Sequence, residues 1–177
     1  MSTILRVNFE PVSDILPIQR RDFSLFDPTQ ADPLNATALV DGEWMTLNTA
    51  YQLVRASTIG SVGNGATVKS FPLFAERGRY DVRANSGTKM PILWRGEYEF
   101  DTRVYDATAV VTSPGTGAAI TTVMQGLKVA TIAIGGRNYT GLVGHGGSSD
   151  ASPVVGYVTR LPANNGGKLR FINGWRV

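Results

Sequence analysis

The sequence predicts an all-β fold, a β-sandwich or β-barrel domain with an extended N-terminal arm. Turn signals rich in glycine, asparagine and aspartate recur about every 8 to 12 residues between short β-prone runs. The 177 residues include 20 glycines, and only 18% are charged, a composition typical of β domains with many turns. No long segment keeps the 3.6-residue period of a helix, and no repeat suggests a propeller or a solenoid.

The first 34 residues predict an arm, because their prolines interrupt strands and helices alike while many of their side chains are apolar. An apolar irregular segment lies either on its own domain or on a neighbouring subunit. We therefore expect an arm at 1–34, a single β domain at 35–177, and partner binding through the arm. The candidate partner-binding residues are Leu5, Val7, Phe9, Ile15, Leu16, Ile18, Arg20, Arg21, Phe23, Leu25 and Phe26.

The first part of the domain predicts a hairpin and an edge strand. Residues 36–40 and 43–47 are β-prone and flank Asp41-Gly42, a strong hairpin signal. Residues 51–55 form a further candidate strand. The β-prone segment 67–76 contains Pro72, which favours an edge strand or a bulge.

The middle of the chain predicts a half-buried strand at 97–106, because charged and apolar residues alternate there. Glu97, Glu99 and Asp101 share one face of this strand. Three like charges in a row favour a solvated face, or a face that meets basic residues of a partner, over a catalytic carboxylate pair.

The C-terminal part predicts further strands separated by turns at Gly135-Gly136 and 164–167. The segment 144–150, which contains three glycines, predicts a surface loop. The expected strands span 119–124, 128–134, 138–143, 154–160 and 169–177.

Candidate chemistry is sparse, and we expect no enzyme, no cofactor and no metal site. The chain has no cysteine and one histidine, which excludes disulfides, thiolate zinc sites and a zinc site with several imidazoles. The glycine loop at 60–65 lacks the lysine that a phosphate loop requires. His145, Ser148, Ser149 and Asp150 include the residue types of a hydrolase triad, but triad members converge from separate elements, and these lie within one loop.

Three tryptophans, Trp44, Trp94 and Trp175, favour core or interface positions, and a carbohydrate-binding module using Trp44 or Trp94 stays open as a rival. The net charge of +3 is scattered along the chain, which argues against nucleic acid as a partner. No apolar run is long enough for a membrane span, and residues 1–10 are too polar for a secretion signal. We expect a soluble protein made in a cytoplasm.

Several phrases of the chain together resemble structural proteins of tailed-bacteriophage heads, specifically the capsid decoration (cement) proteins. The resemblance spans roughly residues 36 to 177. The phrases are 38–47 (ALVDGEWMTL), 72–74 (PLF) with 78–82 (GRYDV), 101–106 (DTRVYD), 154–159 (VVGYVT) and 169–172 (LRFI).

This resemblance implies a β-barrel or β-tulip-like fold on the outside of the virion head, with the protein assembled in the host cytoplasm. It implies binding to the major capsid protein, with bridging of its subunits and stabilisation of the expanded capsid. It also implies self-association, with a homotrimer expected and a homodimer as the alternative. The alternative function is a tail-tube, baseplate or fibre protein of the same virion type.

Overall fold

The computed structural model describes residues 9–12, 20–24, 39–48, 50–56, 71–72, 89–93, 98–108, 111–113, 117–150, 152–164 and 166–173. Within these ranges the chain is all-β, which confirms the predicted fold class. A 3₁₀ turn at Gly147–Ser149 lies in the loop before the last two strands. The strands are β1 (Phe9–Pro11), β2 (Arg20–Ser24), β3 (Trp44–Leu47), β4 (Leu53–Arg55), β5 (Phe71–Pro72), β6 (Lys89–Leu93), β7 (Glu99–Thr102), β8 (Val111–Ser113), β9 (Gly126–Ile134), β10 (Arg137–Gly144), β11 (Gly156–Arg160) and β12 (Leu169–Asn173).

The described strands form three antiparallel sheets. The largest has the order β1-β7-β12-β11-β9-β10, and β8 pairs with β9 beside this path. A second sheet pairs β2 with β6, and a third has the order β4-β3-β5. Neighbours in these sheets are mostly distant in sequence, so the fold depends on long-range pairing.

The turn at Asp41-Gly42 is present, but the strand predicted before it is wrong at 39–40; residues 36–38 of that strand lie outside the described residues. The N–H of Glu43 donates to the carbonyl of Val40 over 3.1 Å, and Gly42 has a φ of 85°. Leu39 and Val40 lie outside any strand. The carboxylate of Glu43 accepts the N–H of Val40 at 2.9 Å. In a hairpin this N–H would donate to a backbone carbonyl of the opposite strand. Strand β3 pairs instead with β4 and β5.

Other local predictions have clearer outcomes. Pro72 lies in β5 at an edge of the three-stranded sheet, as predicted. Gly135 and Gly136, with φ of 59° and 76°, form the predicted turn between β9 and β10. The strand predicted at 119–124 is wrong, because residues 121–125 form a turn.

One hydrophobic core joins the three sheets. Trp44 of β3 is fully buried, and its ring centroid lies 6.2 Å from that of Phe171 in β12. Phe100 of β7 packs on the same Phe171 ring at 5.8 Å. Leu93 of β6 belongs to this cluster as well, so the two-stranded sheet is packed on the same core. The three sheets therefore form one packed unit.

The outer edge of β10 is covered by other parts of the chain. The N–H of Leu142 donates to the carbonyl of Val104 at 3.0 Å, and the N–H of Asp106 donates to the carbonyl of Leu142 at 2.9 Å. At Gly141 a β-carbon would lie 2.7 Å from the carbonyl oxygen of Val104, so glycine is required for this approach. Covering an edge removes backbone groups that could recruit another strand.

A buried ion pair connects the three-stranded sheet to β10. Glu43 is fully buried, and its Oε1 accepts the Nε–H of Arg55 at 3.2 Å and the N–H of Thr140 at 3.2 Å. The hydroxyl of Thr140 in turn donates to the carbonyl of Trp44 at 2.8 Å. Burial raises the pKa of Glu43 above its ordinary value, although the charge of Arg55 and the N–H donors of Val40 and Thr140 act in the opposite direction.

We expect Glu43→Gln to lower the free energy of unfolding by about 3 to 5 kcal/mol. The amide removes the charge beside the buried guanidinium of Arg55. Its NH₂ group accepts no hydrogen bond, so the N–H of Val40 or the N–H of Thr140 loses the oxygen that it binds in the wild type. Urea denaturation measures this loss.

The matched control for this variant is Glu10→Gln. Glu10 pairs with Lys168 at the surface, where its side chain is 41% exposed, so about 0 to 1 kcal/mol is expected. Equal losses in the two variants would contradict the role assigned to the buried pair.

Candidate partner-binding surface

The first described part of the predicted arm is an edge strand of the largest sheet. Strand β1 pairs with β7, placing Glu10 opposite Asp101 and Pro11 opposite Phe100. The N–H of Val12 donates to the carbonyl of Glu99 at 2.8 Å. Successive backbone nitrogens of a strand point to opposite sides, so the nitrogen of Pro11 points away from β7. The lack of an N–H at Pro11 therefore removes no hydrogen bond between β1 and β7.

The second described part of the arm is β2, which pairs with β6 from Arg20↔Leu93 to Ser24↔Lys89. The guanidinium of Arg21 lies 5.2 Å from the centroid of the half-buried Phe23 ring, a cation–π distance. Both arm strands therefore pair with strands of the predicted domain.

Four of the predicted partner-binding residues, Phe9, Arg20, Arg21 and Phe23, are placed by these two strands. Phe9 stands opposite Thr102 and Arg20 opposite Leu93, so strand pairing fixes their backbone. Their role in binding stays a prediction. The others lie outside the described residues: Leu5, Val7, Ile15, Leu16, Ile18, Leu25 and Phe26.

A row of charged residues crosses the outward side of the largest sheet. Asp101 on β7 accepts two hydrogen bonds from Arg170 on β12, at 2.8 and 3.0 Å. Arg160 on β11 reaches the same carboxylate at 3.4 Å, and its own side chain is 56% exposed. At the other end of the row, Glu10 pairs with Lys168.

These contacts match neither prediction for the acidic face of β7, which were a solvated face and a face that meets basic residues of a partner. Asp101 meets the chain's own arginines, and Glu99 accepts the hydroxyl of Thr159 at 2.7 Å; Glu97 lies outside the described residues. The hydrogen bond from Arg170 holds the pKa of Asp101 below its ordinary value, with the charges of Arg170 and Arg160 acting in the same direction against burial. The carboxylates on this face therefore fasten β7 to β12 and β11.

The loop that carries the histidine is fastened by its own polar groups. The Nδ1 of His145 accepts the N–H of Gly147 at 3.1 Å, and Nε2 lies 2.9 Å from the carbonyl of Ser152. With Nδ1 accepting, Nε2 carries the hydrogen and donates it. Both ring nitrogens thus bind the backbone of their own loop.

Asp150 closes the same loop onto β9. Its carboxylate lies 2.7 Å from the Nζ of the buried Lys128 and accepts the N–H groups of Gly146 and Ser152, each at 3.0 Å. Burial raises the pKa of Asp150, but the hydrogen bonds from Lys128, Gly146 and Ser152 outweigh it and hold the pKa well below the ordinary value. Through these contacts Asp150 stabilises the position of the loop on β9. Ser148, another residue of the same loop, is exposed.

Trp44 cannot serve as a sugar platform, because it is fully buried in the core. That part of the carbohydrate-binding hypothesis is wrong; Trp94 and Trp175 lie outside the described residues. Among the residues that the structure places, no group of His, Cys, Asp and Glu could hold a metal ion. The same part of the chain contains no helix long and apolar enough to span a membrane.

Tyr51 is predicted to begin a strand at 51–55, but it lies in the turn between β3 and β4, and β4 begins at Leu53. Tyr51 has a φ of 57° and is 75% exposed. The amide of Asn48 fastens this turn, since its Oδ1 accepts the N–H groups of Ala50 and Gln52, each at 2.9 Å. The N–H of Tyr51 also donates to the carbonyl of Asn48 at 3.0 Å.

A second missed turn precedes β9. Met124 has a φ of 65° and is 66% exposed, and the neighbouring Val123 is 52% exposed. The side chain of Gln125 fastens this turn: Oε1 accepts the N–H of Thr121 at 2.9 Å, and Nε2 donates to the carbonyl of Ala119 at 2.7 Å. The N–H of Met124 donates to the carbonyl of Val158 at 2.7 Å, which ties the turn to β11.

Comparison of the chain with protein-family models, curated proteins and solved structures finds no match in any of the three.

We expect Asp101→Asn to lower the free energy of unfolding at pH 7 by about 1 to 3 kcal/mol, because it weakens charged hydrogen bonds to Arg170. Since the folded-state pKa of Asp101 lies below its unfolded value, the stability it contributes is present above about pH 4 and is lost as the pH falls further. Urea denaturation between pH 3 and pH 7 should show the two proteins converging at low pH.

The control for this pH dependence is Asp22→Asn, at an exposed position of β2. A deficit of Asp101→Asn that stayed constant down to pH 3 would show that its cost does not come from the ionised carboxylate.

Proposed function

We propose that this chain is a virion structural protein, a capsid decoration protein that binds the outer surface of a phage head and bridges major capsid protein subunits. The resemblance in residues 38–47, 72–82, 101–106 and 154–172 supports the family. The observation that supports the structural role is how the chain uses its polar groups: Glu43, Asp101 and Asp150 each fasten one part of the fold to another, and His145 fastens its own loop.

The proposed mechanism is mechanical and involves no covalent step. A protein that buries surface on several subunits at once prevents any one junction from opening without breaking its own contacts. Stable interfaces bury about 1,600 Å² in total, and repeated copies around a symmetry axis add avidity. The proposed assembly is a homotrimer at local threefold axes, with a homodimer at twofold axes as the alternative.

A tail-tube, baseplate or fibre protein of the same virion type is the second candidate, since such proteins also use β-rich domains with arms. Immunogold electron microscopy of phage particles distinguishes the two. We expect gold on heads for a decoration protein, whereas gold confined to tails would overturn that role in favour of the second candidate. Pre-immune serum is the control.

The contribution of the arm can be tested without removing its strands. Deletion of residues 1–8 removes the predicted binding residues Leu5 and Val7 and leaves β1 and β2 in place. We expect an unchanged melting temperature and lower occupancy on heads that lack the wild-type protein, measured by co-sedimentation.

The control for this deletion is Asp22→Asn, a full-length variant altered at an exposed position of β2 that is not among the predicted binding residues. It should keep wild-type occupancy. Wild-type occupancy for the deletion variant would remove residues 1–8 from the proposed clamp.

A further inference from the structure

Two turns that are far apart in sequence each contain a non-glycine residue with a positive φ. In the described residues, the non-glycine positions with positive φ are Tyr51 and Met124, and both are large and mostly exposed. Left-handed backbone costs a residue with a β-carbon about 1 kcal/mol or more, and glycine avoids this cost. The chain uses glycine in that conformation at Gly42, Gly135 and Gly166.

Turn geometry alone does not account for these two side chains. Glycine at either position would satisfy the same backbone hydrogen bonds with less strain, and exposure of 75% for Tyr51 and 66% for Met124 means that neither ring nor thioether stabilises the core. Strained residues that the surrounding structure holds in place concentrate at functional sites. The side chains themselves therefore point to a contact outside this chain.

Both turns are also held in place before any partner arrives. Asn48 accepts two backbone N–H groups in the first turn, and in the second Gln125 accepts the N–H of Thr121 and donates to the carbonyl of Ala119. A contact group that is already ordered loses little entropy on binding, so its apolar area contributes more fully to affinity. Tyrosine and methionine are both enriched at protein interfaces.

The composition of the turns indicates the chemistry of the partner. Residues 48–52 and 119–125 contain no charged side chain. Nucleic acid requires lysine or arginine at the contact, so it does not fit these turns. The tip of each turn, Tyr51 in the first and Met124 in the second, is a large side chain on an uncharged, ordered turn. Such a tip fits an uncharged apolar pocket on a protein surface.

We propose that Tyr51 and Met124 are anchor side chains with which this chain docks onto a partner protein whose surface offers uncharged apolar pockets. The inference rests on the proposed function in one respect, that the partner is the shell of the virion head. Asn48 and Gln125 act as positioning residues that hold the two tips.

The test uses the glycine variants Tyr51→Gly and Met124→Gly in the full chain. Because glycine relieves the left-handed strain, each variant should keep or raise the wild-type melting temperature. Each should nevertheless bind heads that lack the protein about tenfold more weakly or worse, measured by co-sedimentation, and the double variant should be weaker still. A merely structural role cannot produce higher stability together with lower binding.

Conservative variants supply the matched rescue. Tyr51→Phe and Met124→Leu keep an apolar side chain at each tip and should retain most of the binding. Ala163→Gly introduces glycine into another exposed turn and should leave binding unchanged.

The outcomes separate this inference from the proposed function. Glycine variants that bind heads as tightly as wild type overturn the inference and leave the decoration role intact. Wild-type binding to purified tails instead of heads, with the same loss in the glycine variants, overturns the decoration role and supports the two anchors. Binding to neither, or tip-dependent flotation with phosphatidylcholine vesicles in place of protein binding, overturns the inference.

Discussion

The buried carboxylate of Glu43 connects the three-stranded sheet to β10 of the largest sheet. A charge in that position is very costly unless donors surround it, so the Val40 turn, Arg55 on β4 and Thr140 on β10 must all be in place together. Thr140 also binds the carbonyl of Trp44, which holds this residue against the core. The contacts that join the two sheets and the contact that holds Trp44 in the core therefore share Thr140, and they form together only in the complete fold.

Features set by neighbouring residues could be predicted from the sequence, and features set by long-range pairing could not. The alternation around Phe100, the Gly135-Gly136 turn and the edge position of Pro72 are local, and the structure has all three. The partners of Asp101 depend on register between strands, since Arg170 lies 69 positions away along the chain. No local pattern carries that information. The sequence alone therefore does not indicate whether the acidic face of β7 meets solvent or the basic residues of a partner.

The candidate binding residues follow the same division. Composition predicts an irregular arm at 1–34, whereas the structure pairs two of its segments as strands, β1 with β7 and β2 with β6, which no local β-prone run indicates. Tyr51 and Met124 lie at the ends of segments that the sequence predicts as strands, 51–55 and 119–124, so no turn is predicted at either residue. Met124 follows a β-prone segment, and its conformation is fixed with the help of the carbonyl of Val158 and the amide of Gln125.

The described edges of the largest sheet favour binding through side chains over binding by strand addition. At one end, backbone groups of β10 are engaged by residues 104–106 and Ala118. At the other end, β1 is three residues long and turns the nitrogen of Pro11 outward, so a strand added there would lack a donor. Because the polar clusters fasten the chain's own strands and the described edges of the largest sheet resist pairing, the turns are the surface on which the proposed contact with a partner rests. In such a chain, two ordered turns with large apolar side chains provide contacts that the fold itself does not use.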